Sequence, residues 1–157
     1  MRPSKPGLLV GLGVIAAVLT WSGLQIWVSA GHAEPDLVWT TVLTIGLLAV
    51  AVFGLGWPVK QWVEGDKGRR IDALRAARTA ALAKAASVAG SLLVGGFAGW
   101  VVHYVPTLDI AARRSEAVVG AADVVVSALL LVAGLVVERW CRVPPDEDDD
   151  QNRMQVS

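Results

Sequence analysis

Charge is scarce in this chain: Asp, Glu, Lys and Arg together make up 18% of its 157 residues, against about 25% in an ordinary soluble protein. One cysteine and two histidines are present, which excludes an internal disulfide and leaves no zinc site of the usual kind. Cys-x-x-Cys, His-Glu-x-x-His and Walker patterns are all missing, so no metal or cofactor is expected, and neither is an enzyme. Fourteen basic residues balance fourteen acidic ones, and that neutrality offers nucleic acid no electrostatic foothold.

What the chain has instead is long apolar runs. Four stand out, at 7–29, 37–59, 85–106 and 117–137, with 23, 23, 22 and 21 residues. Each is near the ~20 that cross a bilayer as a helix. Of the connecting pieces the longest has 25 residues, short of the roughly 40 below which a separate soluble core is rarely stable. The expected fold is therefore all-α: a polytopic integral membrane protein, built as a compact bundle of four transmembrane helices over residues 1–144. Residues 145–157, with Asp146-Glu147-Asp148-Asp149-Asp150, read as an acidic disordered cytoplasmic tail.

Topology follows from the placing of Lys and Arg. Seven fall in the second connection, at Lys60, Lys67, Arg69, Arg70, Arg75, Arg78 and Lys84, and none in the first. With both termini cytoplasmic, twelve basic residues lie inside and two, Arg113 and Arg114, outside. N-in, C-in in a bacterial cytoplasmic membrane is the expectation. Trp27, Trp39, Trp100 and Tyr104 then mark the outer boundary, and Trp57, Trp62 and Trp140 the inner one, as amphipathic rings prefer. Asp36 is placed to cap the second helix and Pro58 to end it. The start of the chain, with Arg2, Lys5 and a small-residue Val28-Ser29-Ala30, also has the look of a secretory signal. Its apolar run of about 22 residues exceeds the 7–15 of a signal core, so an uncleaved anchor is expected.

Between helices in lipid, small residues mark close contacts. The third run has Thr79, Ala83, Ser87, Ser91, Gly95 and Gly99 at intervals of four, and the fourth has Gly120, Ser127 and Gly134 at intervals of seven. Leu8-Leu9-Val10-Gly11 recurs as Leu92-Leu93-Val94-Gly95, a faint sign of a parallel repeat that composition bias also produces. Gly11-Leu12-Gly13-Val14-Ile15-Ala16 matches a dinucleotide fingerprint but lies inside an apolar run with no strand before it, so helix packing is the reading.

The candidate chemistry centres on Asp123, the one Asp, Glu, Lys or Arg inside the four runs. Ionisable groups at such depth are default site candidates. Topology brings Gln25 and His103 to a comparable level and leaves Arg114 in the adjoining outer loop, which suggests a polar cluster around Asp123. That cluster either binds a small polar ligand or passes protons, or it pairs Asp123 with His103 or Arg114 to fix helix register. The segment 69–84 should be a cytoplasmic helix with a basic face carrying Arg69, Arg70, Arg75, Arg78 and Lys84. Such a face attracts anionic lipid at about 1 kcal/mol per basic residue, or docks a protein partner.

Arg75-Ala76-Ala77-Arg78-Thr79-Ala80-Ala81-Leu82-Ala83-Lys84-Ala85, Gly99-Trp100 and Glu138-Arg139-Trp140-Cys141-Arg142-Val143-Pro144 resemble an uncharacterised four-helix membrane-protein family of high-GC Gram-positive bacteria, domain of unknown function 3180. The resemblance implies a four-span bundle and no chemistry. It also implies a cysteine pair near the end of the fourth span, which here is a single Cys141 beside Trp140. The function expected is a non-enzymatic accessory or scaffold subunit whose partners are the bilayer and another membrane protein or further copies of itself. The alternative is a component of a small-solute transporter or channel with its polar site near Asp123.

Overall fold

The computed structural model describes residues 6–33, 36–63, 73–107 and 109–140, with side chains except at 6, 58–63 and 73–77. It is helical: α1 Pro6–Ser29, α2 Trp39–Val63, α3 Ala73–Tyr104, a 3₁₀ turn at Val105–Thr107, and α4 Ala111–Trp140. All four α-helices are long and apolar enough to cross a membrane. Only a helix or a closed barrel satisfies every backbone group in a medium without water, and these uninterrupted apolar runs take the helical solution.

The helices run past the ends of the apolar runs. α3 has 32 residues, about 48 Å at 1.5 Å per residue, against a hydrocarbon core of about 30 Å. It continues without a break from Ala73 through Arg75, Arg78 and Lys84 into the apolar stretch. Arg69 and Arg70, like the tail 145–157 and Cys141, lie outside the described residues. Two expected boundaries need correction. Pro58 does not end α2, which runs on to Val63. Asp36 is not the cap either, because Val38 holds the position before Trp39.

α3 and α4 form a central antiparallel hairpin. Gly90 lies against the backbone of Leu131, and Gly134 against Ala83 and Ser87. α1 packs on α3 alone, running parallel to it: Leu9 lies beside Ser91, Gly13 beside Gly95 and Ala17 beside Gly99. α2 packs mainly on α4, again parallel, with Gly46 beside Val126 and Gly56 beside Val137. Both ends of the described chain therefore come to one end of the structure, and the α3–α4 turn to the other.

Among the described residues α1 touches neither α2 nor α4. The lateral order is thus α1, α3, α4, α2, with α2 also reaching α3. In a bilayer, whose tails are as apolar as leucine, an outward apolar face would carry no penalty and a helix would need a neighbour only where close packing is available. The flanking helices show this directly: Val10, Leu19 and Ile26 on α1 and Leu43, Leu47 and Val50 on α2 are each at least 66% exposed. Apolar exposure on this scale is foreign to water-soluble monomers.

The buried apolar residues gather where three helices meet, with Ile45, Ala49 and Val52 of α2, Ala86 of α3 and Leu130 of α4. Aromatic rings collect at both ends. Phe53 lies 5.5 Å from Trp140 and 6.0 Å from Trp57, while Trp100, Tyr104 and Trp27 stand at the opposite end. There α1 closes in a Schellman turn, in which His32 N–H donates to the Trp27 carbonyl and Gly31 N–H to that of Val28. The turn needs a left-handed residue, and Gly31 supplies it at φ 82°.

A polar clip ties the segment just before α2 to α4: the Leu37 N–H donates to Glu116 Oε2 at 3.0 Å. Replacing Glu116 by Ala removes a charged acceptor from a part-buried amide. We expect a loss of about 1 kcal/mol, read as faster hydrogen exchange at Leu37 in detergent while the amides of the α3–α4 hairpin keep their protection.

Candidate intramembrane polar site

Buried positions on α4 follow a spacing of three and four residues: Gly120, Asp123, Ser127, Leu130, Gly134 and Val137. This is the stripe an α-helix turns toward its neighbours. Its two outer glycines show which neighbours. Gly120 lies against Val101 and Trp100 of α3 and Leu37 beside α2, and Gly134 against Ala83 and Ser87 of α3.

Asp123 sits one turn inward from Gly120, with Ser127 the next turn along. Both side chains are 0% exposed. The apolar run of α4 is centred on Ser127, so Asp123 lies about 6 Å from its midpoint. Among the described residues neither Asp123 oxygen has a hydrogen-bond partner, and neither does the Ser127 hydroxyl. The Trp100 indole N–H, in the same seam, is also buried and unpartnered. Its ring edge reaches within 3.6 Å of where a Cβ on Gly120 would stand.

The cluster expected around Asp123 does not assemble. Gln25 is exposed on α1, and α1 has no contact with α4. Arg114 is exposed in the first turn of α4. Its neighbour Arg113 is taken up by the α3–α4 turn, with its guanidinium 5.8 Å from the Tyr104 ring centre and 3.5 Å from the Thr107 hydroxyl. His103 is half-buried, and its ring meets the edge of Tyr104 at 5.4 Å. Pairing of Asp123 with His103 or Arg114 is therefore not how this carboxyl is held. Sequence reasoning passed over Trp100 as a boundary aromatic, although its single donor becomes informative once Gly120 is seen to admit the ring edge. Among the described residues, no three of His, Cys, Asp and Glu gather as metal ligands.

The small residues fall at helix contacts, but with two destinations. A four-residue interval advances about 40° per step around a helix of 3.6 residues per turn. Ala83 and Ser87 accordingly meet Gly134 of α4, while Ser91, Gly95 and Gly99 have rotated round to α1. Ser91 also donates its hydroxyl hydrogen to the Leu9 carbonyl, a bond between helices. Arg78 and Lys84, the described side chains of the basic face, are both exposed. Lys84 joins Ala80, Ala81, Ala85, Val88, Ala89 and Leu92 in lining an open apolar groove along α3. Arg75 lies on the α3 backbone, its side chain outside the described set.

No curated protein and no solved structure matches the chain. A family model described as a protein of unknown function, DUF3180, matches residues 9–145, nearly the whole four-helix unit, and the chain belongs to that family.

Proposed function

We propose that this protein is a non-enzymatic accessory subunit that docks a transmembrane helix of a second membrane protein. The groove on α3 carries the reading. Ala81, Ala85 and Ala89 stand four residues apart and exposed along it, the small-residue spacing that admits a close helix neighbour. Higher on α3, residues of the same kind are covered by α1; beside the groove no described helix covers them. Lys84 in the groove wall, with Arg78 one turn and a half away, supplies positive charge at its end. We place that end in the cytoplasm of a bacterial cell, with both termini inside, because it collects the basic connection between α2 and α3. There the same charges favour anionic headgroups.

The test is purification of the tagged protein at native level in mild detergent, with mass spectrometry and light scattering on the eluate. A second membrane protein in stoichiometric amount is expected, and it should be lost from Ala85→Leu and Ala89→Leu while helicity is kept. Wild type eluting alone, as a homo-oligomer, or with the same partner in the groove variants, would overturn the reading.

A second reading, a component of a small-solute transporter, has one observation in its favour: the buried and unpartnered carboxyl of Asp123.

A further inference from the structure

We propose that Asp123, Ser127 and the Trp100 indole form an intramembrane site for one monovalent cation, either a proton or Na⁺. The inference deepens the transporter reading by naming the class of ligand at its site, and it is independent of the docking groove.

Three polar groups share the seam between α3 and α4, and none has a hydrogen-bond partner among the described residues. Asp123 and Ser127 are a turn apart on one buried stripe, both at 0% exposure. A carboxylate inside hydrocarbon requires compensation, since insertion alone costs about 2.5–3.5 kcal/mol at mid-membrane. The usual compensation is a basic partner, and among the described residues no basic side chain hydrogen-bonds to Asp123. α3 has no ionisable residue between Lys84 and His103, and α2 none from Trp39 to Trp57. His103 is set against Tyr104, Arg113 against Tyr104 and Thr107, and Arg114 is exposed. On α4 the nearest acid, Glu116, accepts the Leu37 amide. α1 does not reach α4 at all.

The countercharge therefore comes from outside the chain. The donor set fixes its class. Two carboxylate oxygens and a hydroxyl oxygen are hard ligands suited to a proton or an alkali cation, and one negative charge balances one positive charge. A divalent ion would leave an excess charge in the apolar seam. The indole N–H has the complementary role, as a donor for a carboxylate oxygen the cation does not engage.

The experiment uses the full-length protein in phosphatidylcholine vesicles and the apolar reagent dicyclohexylcarbodiimide, which modifies protonated carboxyls in apolar surroundings. The adduct is mapped by mass spectrometry. Labelling of Asp123 is expected, absent from Asp123→Asn. If the ligand is a proton, labelling falls about tenfold per pH unit above its midpoint and is indifferent to exchange of choline for Na⁺. If it is Na⁺, sodium protects at fixed pH and choline does not. In either case Ser127→Ala should displace the pH or sodium midpoint while size-exclusion elution and helicity stay as in wild type. Failure of the folded wild type to label, labelling indifferent to both pH and Na⁺, or a midpoint unmoved in Ser127→Ala would each overturn the site. The assay reads occupancy rather than flux, so absence of transport would defeat the transporter reading and leave the cation site standing.

Discussion

Gly95→Leu should detach α1 from α3. A Cβ on Gly95 overlaps the backbone carbonyl of Gly13, and one on Gly99 overlaps that of Ala17. A clash with the end of a flexible side chain relaxes by rotation; a clash with backbone relaxes only by moving a helix. Overfilling a packed contact typically costs 1–3 kcal/mol, and because α1 has no other helix to lean on, we expect at least about 2 kcal/mol. Even Gly95→Ala and Gly99→Ala should lower the detergent melting temperature. Gly54→Ala is the control, since nothing lies within 4 Å of a Cβ there. A cysteine pair at exposed positions on α1 and α3, cross-linked in wild type and not in Gly95→Leu, would separate loss of α1 docking from general unfolding. If Gly95→Leu melts like wild type and keeps the cross-link, the close approach of α1 and α3 is not what holds α1.

How much of this was legible beforehand depends on the kind of information each feature needs. The existence and number of the helices is a local property of composition, and four runs such as 7–29 and 117–137 announce it. Their ends are less local. α4 begins at Ala111 rather than Ala117 because Arg113, Arg114 and Glu116 are as helical as their neighbours while lying outside the apolar run. Lateral order is not local at all. The spacing of Ala83 to Gly99 marks contact, but only the 40° drift per step, followed in three dimensions, divides it between α4 and α1. The small-residue stripes predict that the helices pack, and do not say which pairs meet. The polar site shows the same limit. Asp123 is conspicuous in a list of residues, and shared depth suggests Gln25 and His103 as its company, with Arg114 in the adjoining loop. Depth fixes one coordinate only. The azimuth of each residue and the separation of α1 from α4 remove Gln25, and the turn chemistry around Tyr104 occupies Arg113.

Replacing Asp123 by Leu should make the protein more stable, not less. A structural aspartate loses its partner's interaction when it is replaced, and an orphaned partner then adds its own penalty. Here both carboxyl oxygens are unpartnered among the described residues, so the substitution strands no described partner, and an apolar side chain of the same branching removes a polar group from the seam. On insertion scales the exchange is favourable by about 3 kcal/mol at mid-membrane, and allowing for strain in a seam already filled by Trp100 and Val101 beside Gly120, a gain of roughly 1–2 kcal/mol is expected. Asp123→Asn keeps the shape and the polarity and should be nearly neutral. The measurement is a detergent or SDS unfolding titration of both variants against wild type. A loss of stability in both variants would mean that the carboxyl holds α3 and α4 together through a contact the structure does not show. A gain in Asp123→Leu would mean that the chain carries its one mid-membrane acid at a standing cost in stability. Such a cost is understandable when the carboxyl binds something that comes and goes, and not when its only task is to pack.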